Sequence, residues 1–115
     1  MGHYTFEVTD KNFQEQVLQS EQPVLLDFWA DWCPPCRMLT PIMEELAHKY
    51  EGVLRIGKID VDANPIVQES FGVMAMPTLL LFKAGQPVMQ IVGYRPQQQI
   101  ERILSDYLTP IAARP

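Results

Sequence analysis

Residues 24–30, Val-Leu-Leu-Asp-Phe-Trp-Ala, form an apolar run broken by a single acid. A strand with one wet face alternates apolar and polar side chains. A strand covered on both faces reads as a continuous apolar stretch. This run, preceded by Pro23, is too apolar for an edge strand and predicts the interior of a sheet packed on both sides. Asp27 is the exception. Leaving an uncompensated charge buried there costs several kcal/mol. The run leads at once into Cys33-Pro34-Pro35-Cys36, which holds the only two cysteines of the chain.

The rest of the sequence supplies the layers. A first strand is expected at about residues 4–8. Thr9 or Asp10 caps a first helix with Phe13, Val17 and Leu18 on its apolar face. After the cysteines, Leu39, Ile42, Met43, Leu46, Ala47 and Tyr50 recur at the spacing of one helical face. Pro41 should kink that helix and Gly52 end it. Residues 53–60 read as a strand. Asn64-Pro65 reads as an N-cap followed by proline at the first position of a short helix, about 65–71. Residues 77–82 and 88–92 make a hairpin about the turn Ala84-Gly85-Gln86. Ile100, Ile103, Leu104, Tyr107 and Leu108 form a last helical stripe, and residues 109–115 a frayed tail.

The expected order is β-α-β-α-β-α-β-β-α. It gives an α/β fold in which the alternating elements build a parallel sheet and the hairpin adds an antiparallel edge. With 115 residues, 47% of them hydrophobic, one domain over residues 1–115 is expected. The net charge of -5, with no basic run, argues against nucleic acid or an anionic membrane as partner. No stretch has the length of a membrane span, and the N-terminus has no secretory apolar region. Phe6 stands where a myristoylation motif wants Ser or Thr. A cytoplasmic location is expected.

A lone C-x-x-C near a βαβ pattern points to redox chemistry. Thiols at i and i+3 share one side of a helical turn and lie close enough to bridge. Cys33, at the helix start, faces the positive end of the dipole and free backbone N–H groups, which favour a thiolate. It is the expected nucleophile. Cys36, one turn in and more buried, is expected to resolve the mixed disulfide. Burial should raise the Asp27 pKa, fitting it to take the proton of Cys36. Plainer readings stand beside these: incidental cysteines, a Cys₂His₂ metal site with His3 and His48, or a satisfied core acid.

Several segments together are similar to the thioredoxin family: Asp27 to Cys36, Asp60 to Pro65, Met76-Pro77-Thr78, Lys83-Ala84-Gly85, and Gly93. The resemblance implies the thioredoxin fold, with a central mixed five-stranded sheet and helices on both faces. It implies reduction of protein disulfides through Cys33 and Cys36, with Asp27 as buried acid/base and Lys58 as its partner. It implies a cis Met76-Pro77 bond facing the cysteines and a docking patch of Trp32, Met74, Met76 and Gly93 around Cys33, with Pro34, Pro35 and Pro77 also binding substrate. It implies no bound cofactor or metal and regeneration by an NADPH-dependent thioredoxin reductase; the net acidic charge and single apolar patch fit a monomer that meets partners briefly.

The chain departs from the family in places. Pro34 stands where most members have glycine, and it removes a backbone N–H near the thiolate. The W-C-P-P-C-R string also resembles extracytoplasmic, tethered relatives that reduce apocytochrome c thiols, although their insertion is missing here. Met76 replaces the usual Ile or Val, and Arg95-Pro96 a small polar cap. An oxidase or isomerase role and a redox-independent binding role are the alternatives. Asp60 and Asp62 read as a strand end and turn, and Tyr94, Arg95 and Gln97 to Gln99 as a solvated helix start.

Overall fold

The structure, a computed structural model, describes residues 4–108. His3 and the expected tail at 109–115 lie outside them. The elements are β1 (Phe6–Glu7), a five-residue π-helical turn (Gln14–Leu18), β2 (Val24–Trp29), α1 (Pro34–Lys49), β3 (Arg55–Asp60), α2 (Pro65–Ser70), β4 (Thr78–Lys83), β5 (Gln86–Val92) and α3 (Gln97–Leu104). The first expected helix is thus reduced to one wide turn. The first strand shrinks to two residues, with Val8 N–H still donating to the Lys58 carbonyl at 2.8 Å.

The five strands lie in the order β1-β3-β2-β4-β5. The apolar run at 24–29 is the central strand, paired with β3 on one side and β4 on the other. Its side chains alternate between two cores. Val24, Leu26 and Phe28 join Phe13, Val67 and Phe82 on one face. Leu25 joins Leu39, Met43, Ile100 and Leu104 on the other, under α1 and α3. Asp27, two residues on from Leu25, shares the α1 face.

β1, β3 and β2 run parallel, and β4 is already antiparallel to β2. The antiparallel part of the sheet therefore starts one strand earlier than a hairpin at the edge requires. Helix length explains this. The 16 residues of α1 span about 24 Å and return the chain to the start of the sheet. The six residues of α2 span about 9 Å, so β4 begins at the end where β3 stopped. The β4–β5 turn puts Ala84 at φ 52° and Gly85 at φ 77°, the paired positive angles of a type I′ hairpin.

The helix caps exchange partners across the fold. Thr9 and Asn12 bond each other's backbone N–H, at 3.1 and 2.7 Å. Asp10, expected to cap the first helix, instead accepts from Ile66 N–H (3.1 Å) and Val67 N–H (2.9 Å) at the start of α2. Asn64 occupies the α2 cap position, but its side chain accepts from Asp10 N–H at 2.9 Å. Asp10→Ala should leave two α2 amides without their carboxylate and lower stability by about 1 kcal/mol. Denaturant unfolding monitored by tryptophan fluorescence checks this.

Candidate functional site

β2 ends at Trp29, and four residues later Cys33 forms the N-cap of α1 with extended backbone (φ -107°, ψ 100°). Pro34 and Pro35 fill the first two helical positions, where a missing N–H breaks no helical bond. Cys36 N–H is therefore the first amide of the helix. It donates to Cys33 Sγ at 3.3 Å. Cys33 and Cys36 are joined as a disulfide, with Cα atoms 5.3 Å apart. The residues are 3% and 2% exposed, so burial does not separate them as expected. The distinction is positional, because only Cys33 Sγ receives the helix amide.

Asp27 is fully buried, and neither carboxylate oxygen has a hydrogen-bond partner among the described residues. Desolvation pushes its pKa up from 3.8 to about 7, against the opposing pull of the Lys58 charge. Lys58 stands directly opposite Asp27 in the β2–β3 register. Its ammonium lies 5.2 Å over the Trp29 ring and 3.3 Å from Thr40 Oγ1 on α1. The Thr40 hydroxyl donates in turn to the Cys36 carbonyl at 3.2 Å. A continuous path of contacts thus runs from the lysine beside the buried acid to the second cysteine.

The rim is assembled from separate loops. Trp32 is 66% exposed, and its indole N–H donates to Asp62 Oδ2 at 2.9 Å. Met74 is 93% exposed and so is not core filler, whereas Met76 is half-buried against the core around the cysteines. The Met76-Pro77 bond is cis, and the Pro77 carbonyl accepts from Gly93 N–H at 2.8 Å. Pro34 and Pro35 are exposed. Arg37, exposed on the first turn of α1, donates to the Asp31 carbonyl at 2.7 Å and braces the loop.

A sequence model of the family described as Thioredoxin matches residues 4–106. The chain belongs to the thioredoxin family. It is 49% identical over 104 residues to a thioredoxin of Alicyclobacillus acidocaldarius subsp. acidocaldarius, an overlap covering 90% of this chain and 98% of the relative. It is 44% identical to thioredoxin 1 of a Nostoc strain over 102 residues, 89% of this chain and 95% of the relative. A bifunctional thioredoxin reductase/thioredoxin of Mycobacterium leprae is 48% identical over 102 residues, 89% of this chain and 22% of that protein. With its bonded cysteine pair, this thioredoxin-family chain is a thiol–disulfide oxidoreductase that reduces protein disulfides.

The two sulfurs are bonded to each other rather than held out as a metal-ligand pair, and the His48 ring stacks on Tyr4 at 4.3 Å. No helix among the described residues is long and apolar enough to cross a membrane. The sequence reading missed Thr40, Arg37 and the role of Asp62 as anchor of Trp32. Asp62 and Trp32 are 30 residues apart, and no local pattern joins them.

The raised Asp27 pKa has a stability consequence. Between about pH 4 and pH 7 the unfolded chain releases this proton and the folded chain keeps it. Asp27 therefore costs stability increasingly through that window, and the full cost stands above pH 7. Asp27→Asn should stabilise the protein by a few kcal/mol at pH 8, at roughly 1.4 kcal/mol per pH unit of the window. The advantage should vanish near pH 4. Urea unfolding of both proteins at the two pH values measures it.

Proposed function

We propose that in this reduction Cys33 is the attacking thiolate, Cys36 the resolving thiol, and Asp27 the group that takes the Cys36 proton. The Cys33 thiolate attacks one sulfur of a substrate disulfide. The substrate's other sulfur leaves as a thiolate and is protonated. Cys36 passes its proton to Asp27 and attacks Cys33 Sγ. The remaining substrate thiolate leaves, and two electrons have passed from the Cys33–Cys36 pair to the substrate. Lys58 tempers the Asp27 charge without pairing it. The observations that carry this reading are the helix amide that reaches Cys33 Sγ and a fully buried acid whose oxygens have no hydrogen-bond partner among the described residues.

Trp32, Pro34, Pro35, Met74, Met76, Pro77 and Gly93 form the surface on which the substrate chain settles. The exposed Trp32 and Met74, two large apolar side chains that water would otherwise cover, support that reading. The electrons reside on the two sulfurs, so no bound cofactor or metal takes part. An NADPH-dependent thioredoxin reductase restores the dithiol. The Mycobacterium leprae relative, named for a reductase and a thioredoxin in one chain, supports that pairing. The chain acts as one domain and as a monomer in the cytoplasm, where thiols are kept reduced.

Pro34 and Pro35 bear on the direction of the chemistry. They delete two of the early amides that would otherwise stabilise the thiolate. Strong oxidants of this kind are oxidants because their reduced form is stabilised. A less stabilised Cys33 thiolate therefore favours a reductant.

The expected reduction potential is about -270 mV, measured by equilibration with a glutathione buffer. A value near about -180 mV would reassign the chain to isomerase or oxidase work. Limited alkylation of the reduced protein near neutral pH should label Cys33 first, and preferential labelling of Cys36 would overturn the assignment. Asp27→Ala should slow resolution of the mixed disulfide by about 10²-fold. Stopped-flow exchange across pH 6 to 9 reads it.

A further inference from the structure

The strand registers place four chain segments side by side at one end of the sheet. Trp29 lies opposite Asp60, Phe28 opposite Thr78, and Thr78 opposite Val92. Across that edge the order is the β3 exit with Asp60 and Asp62, the β2 exit toward Cys33, the β4 entry at Pro77, and the β5 exit at Gly93. Three strand spacings separate the outer two, about 14 Å, or about four residues of extended chain.

The two outer flanks carry opposite charge. On the β3 side Asp62 is exposed and Asp60 half-exposed. On the β5 side stands Arg95. Its Nη1 donates to the Val92 and Tyr94 carbonyls, each at 3.0 Å. The same atom lies 3.4 Å from where a Cβ on Gly93 would be, so the guanidinium rests over the glycine. Among the described residues no carboxylate pairs with Arg95, and its Nε and Nη2 donors are unspent. A guanidinium already fixed by two carbonyls loses little side-chain freedom on meeting a carboxylate, and its planar fork suits that partner.

We propose that Arg95 makes this edge select polypeptide disulfides with an acidic side chain two or three residues from the reactive cysteine. The distance follows from the two strand spacings, about 10 Å, between the β2 exit and the β5 exit. The acidic β3 flank disfavours a second acid on the opposite side of the cysteine, so the edge also sets the direction in which the substrate chain lies. The inference rests on Met76, Pro77 and Gly93 being the docking surface.

The test uses C-terminally amidated peptides, so that they differ in charge at one side chain only. Each carries one cysteine as its thionitrobenzoate disulfide, with Glu, Gln or Lys two or three residues before or after it. Attack by Cys33 on the peptide sulfur releases the coloured thionitrobenzoate, which reports the rate. On one side of the cysteine the Glu peptide should react about three- to tenfold faster than the Lys peptide. That ratio should shrink with added salt. It should fall about threefold in Arg95→Gln and drop below one in Arg95→Glu.

A ratio unchanged by both substitutions, or by salt in the unsubstituted protein, overturns the proposal. Met76→Asp separates it from the reading beneath. If that variant slows all peptides while the Arg95 ratio stays flat, Arg95 alone is wrongly assigned. If it slows none, the docking surface itself is misplaced and the inference falls with it.

Discussion

Everything functional hangs from the burial of β2. It is bonded on both edges and covered on both faces, so its register cannot slip by one residue without moving Leu25 and Asp27 into the opposite core. That fixed register brings the ends of β3, β4 and β5 to the same place as Cys33. The cis Pro77 loop, Gly93 and the cysteine pair come from segments as far as 60 residues apart. They meet only because one central strand aligns them. α1 then starts where β2 points, and its first residue after the cap is proline.

The same burial gives Asp27 its value. An acid paired with a lysine in direct contact would stay ionised at all ordinary pH and could not exchange protons near neutrality. Here Lys58 is opposite in register, yet its ammonium is drawn to the Trp29 face and the Thr40 hydroxyl. Desolvation wins over the attenuated Coulombic pull and leaves the carboxyl titrating at about pH 7. Two ordinary contacts on a half-buried lysine thus leave the neighbouring acid able to change charge near neutrality.

Much of this was legible along the chain, and the reasons are physical. The run at 24–30 reads as a central strand because doubly covered strands carry no alternation. The stripe from Leu39 to Tyr50 reads as a helix because six apolar positions repeat at its period. The cysteine pair announces itself by spacing and flanking residues. What stayed hidden depends on distant partners. Asp10 and Asn64 each have a capping residue's chemistry, and nothing local says that the carboxylate of one serves the helix of the other. The antiparallel β4 follows from the shortness of α2; that length was legible, about 65–71 against Pro65–Ser70, but the strand beside which β4 returns was not. Arg95 looked like a solvated helix start, because the carbonyls that hold it are presented only once β5 has paired with β4.

In the proposed exchange the two prolines and the buried acid divide one task. A dithiol reductant must make its first thiolate available yet leave the bonded state preferred, so that electrons flow outward. Prolines at the first two helical positions withdraw amides from Cys33 Sγ, leaving the Cys36 N–H as its helix donor. That withholds stabilisation from the reduced form. It also leaves deprotonation of the second thiol poorly supported by the helix, since Cys36 lies past the amides that could have served it. The proposed exchange then needs a proton acceptor for Cys36, and the candidate is Asp27, the buried acid on the α1 face of β2. An apolar residue at 27 would pack better and stabilise the fold. In the proposed exchange the acid stands where its burial costs most because it takes the proton of the second sulfur.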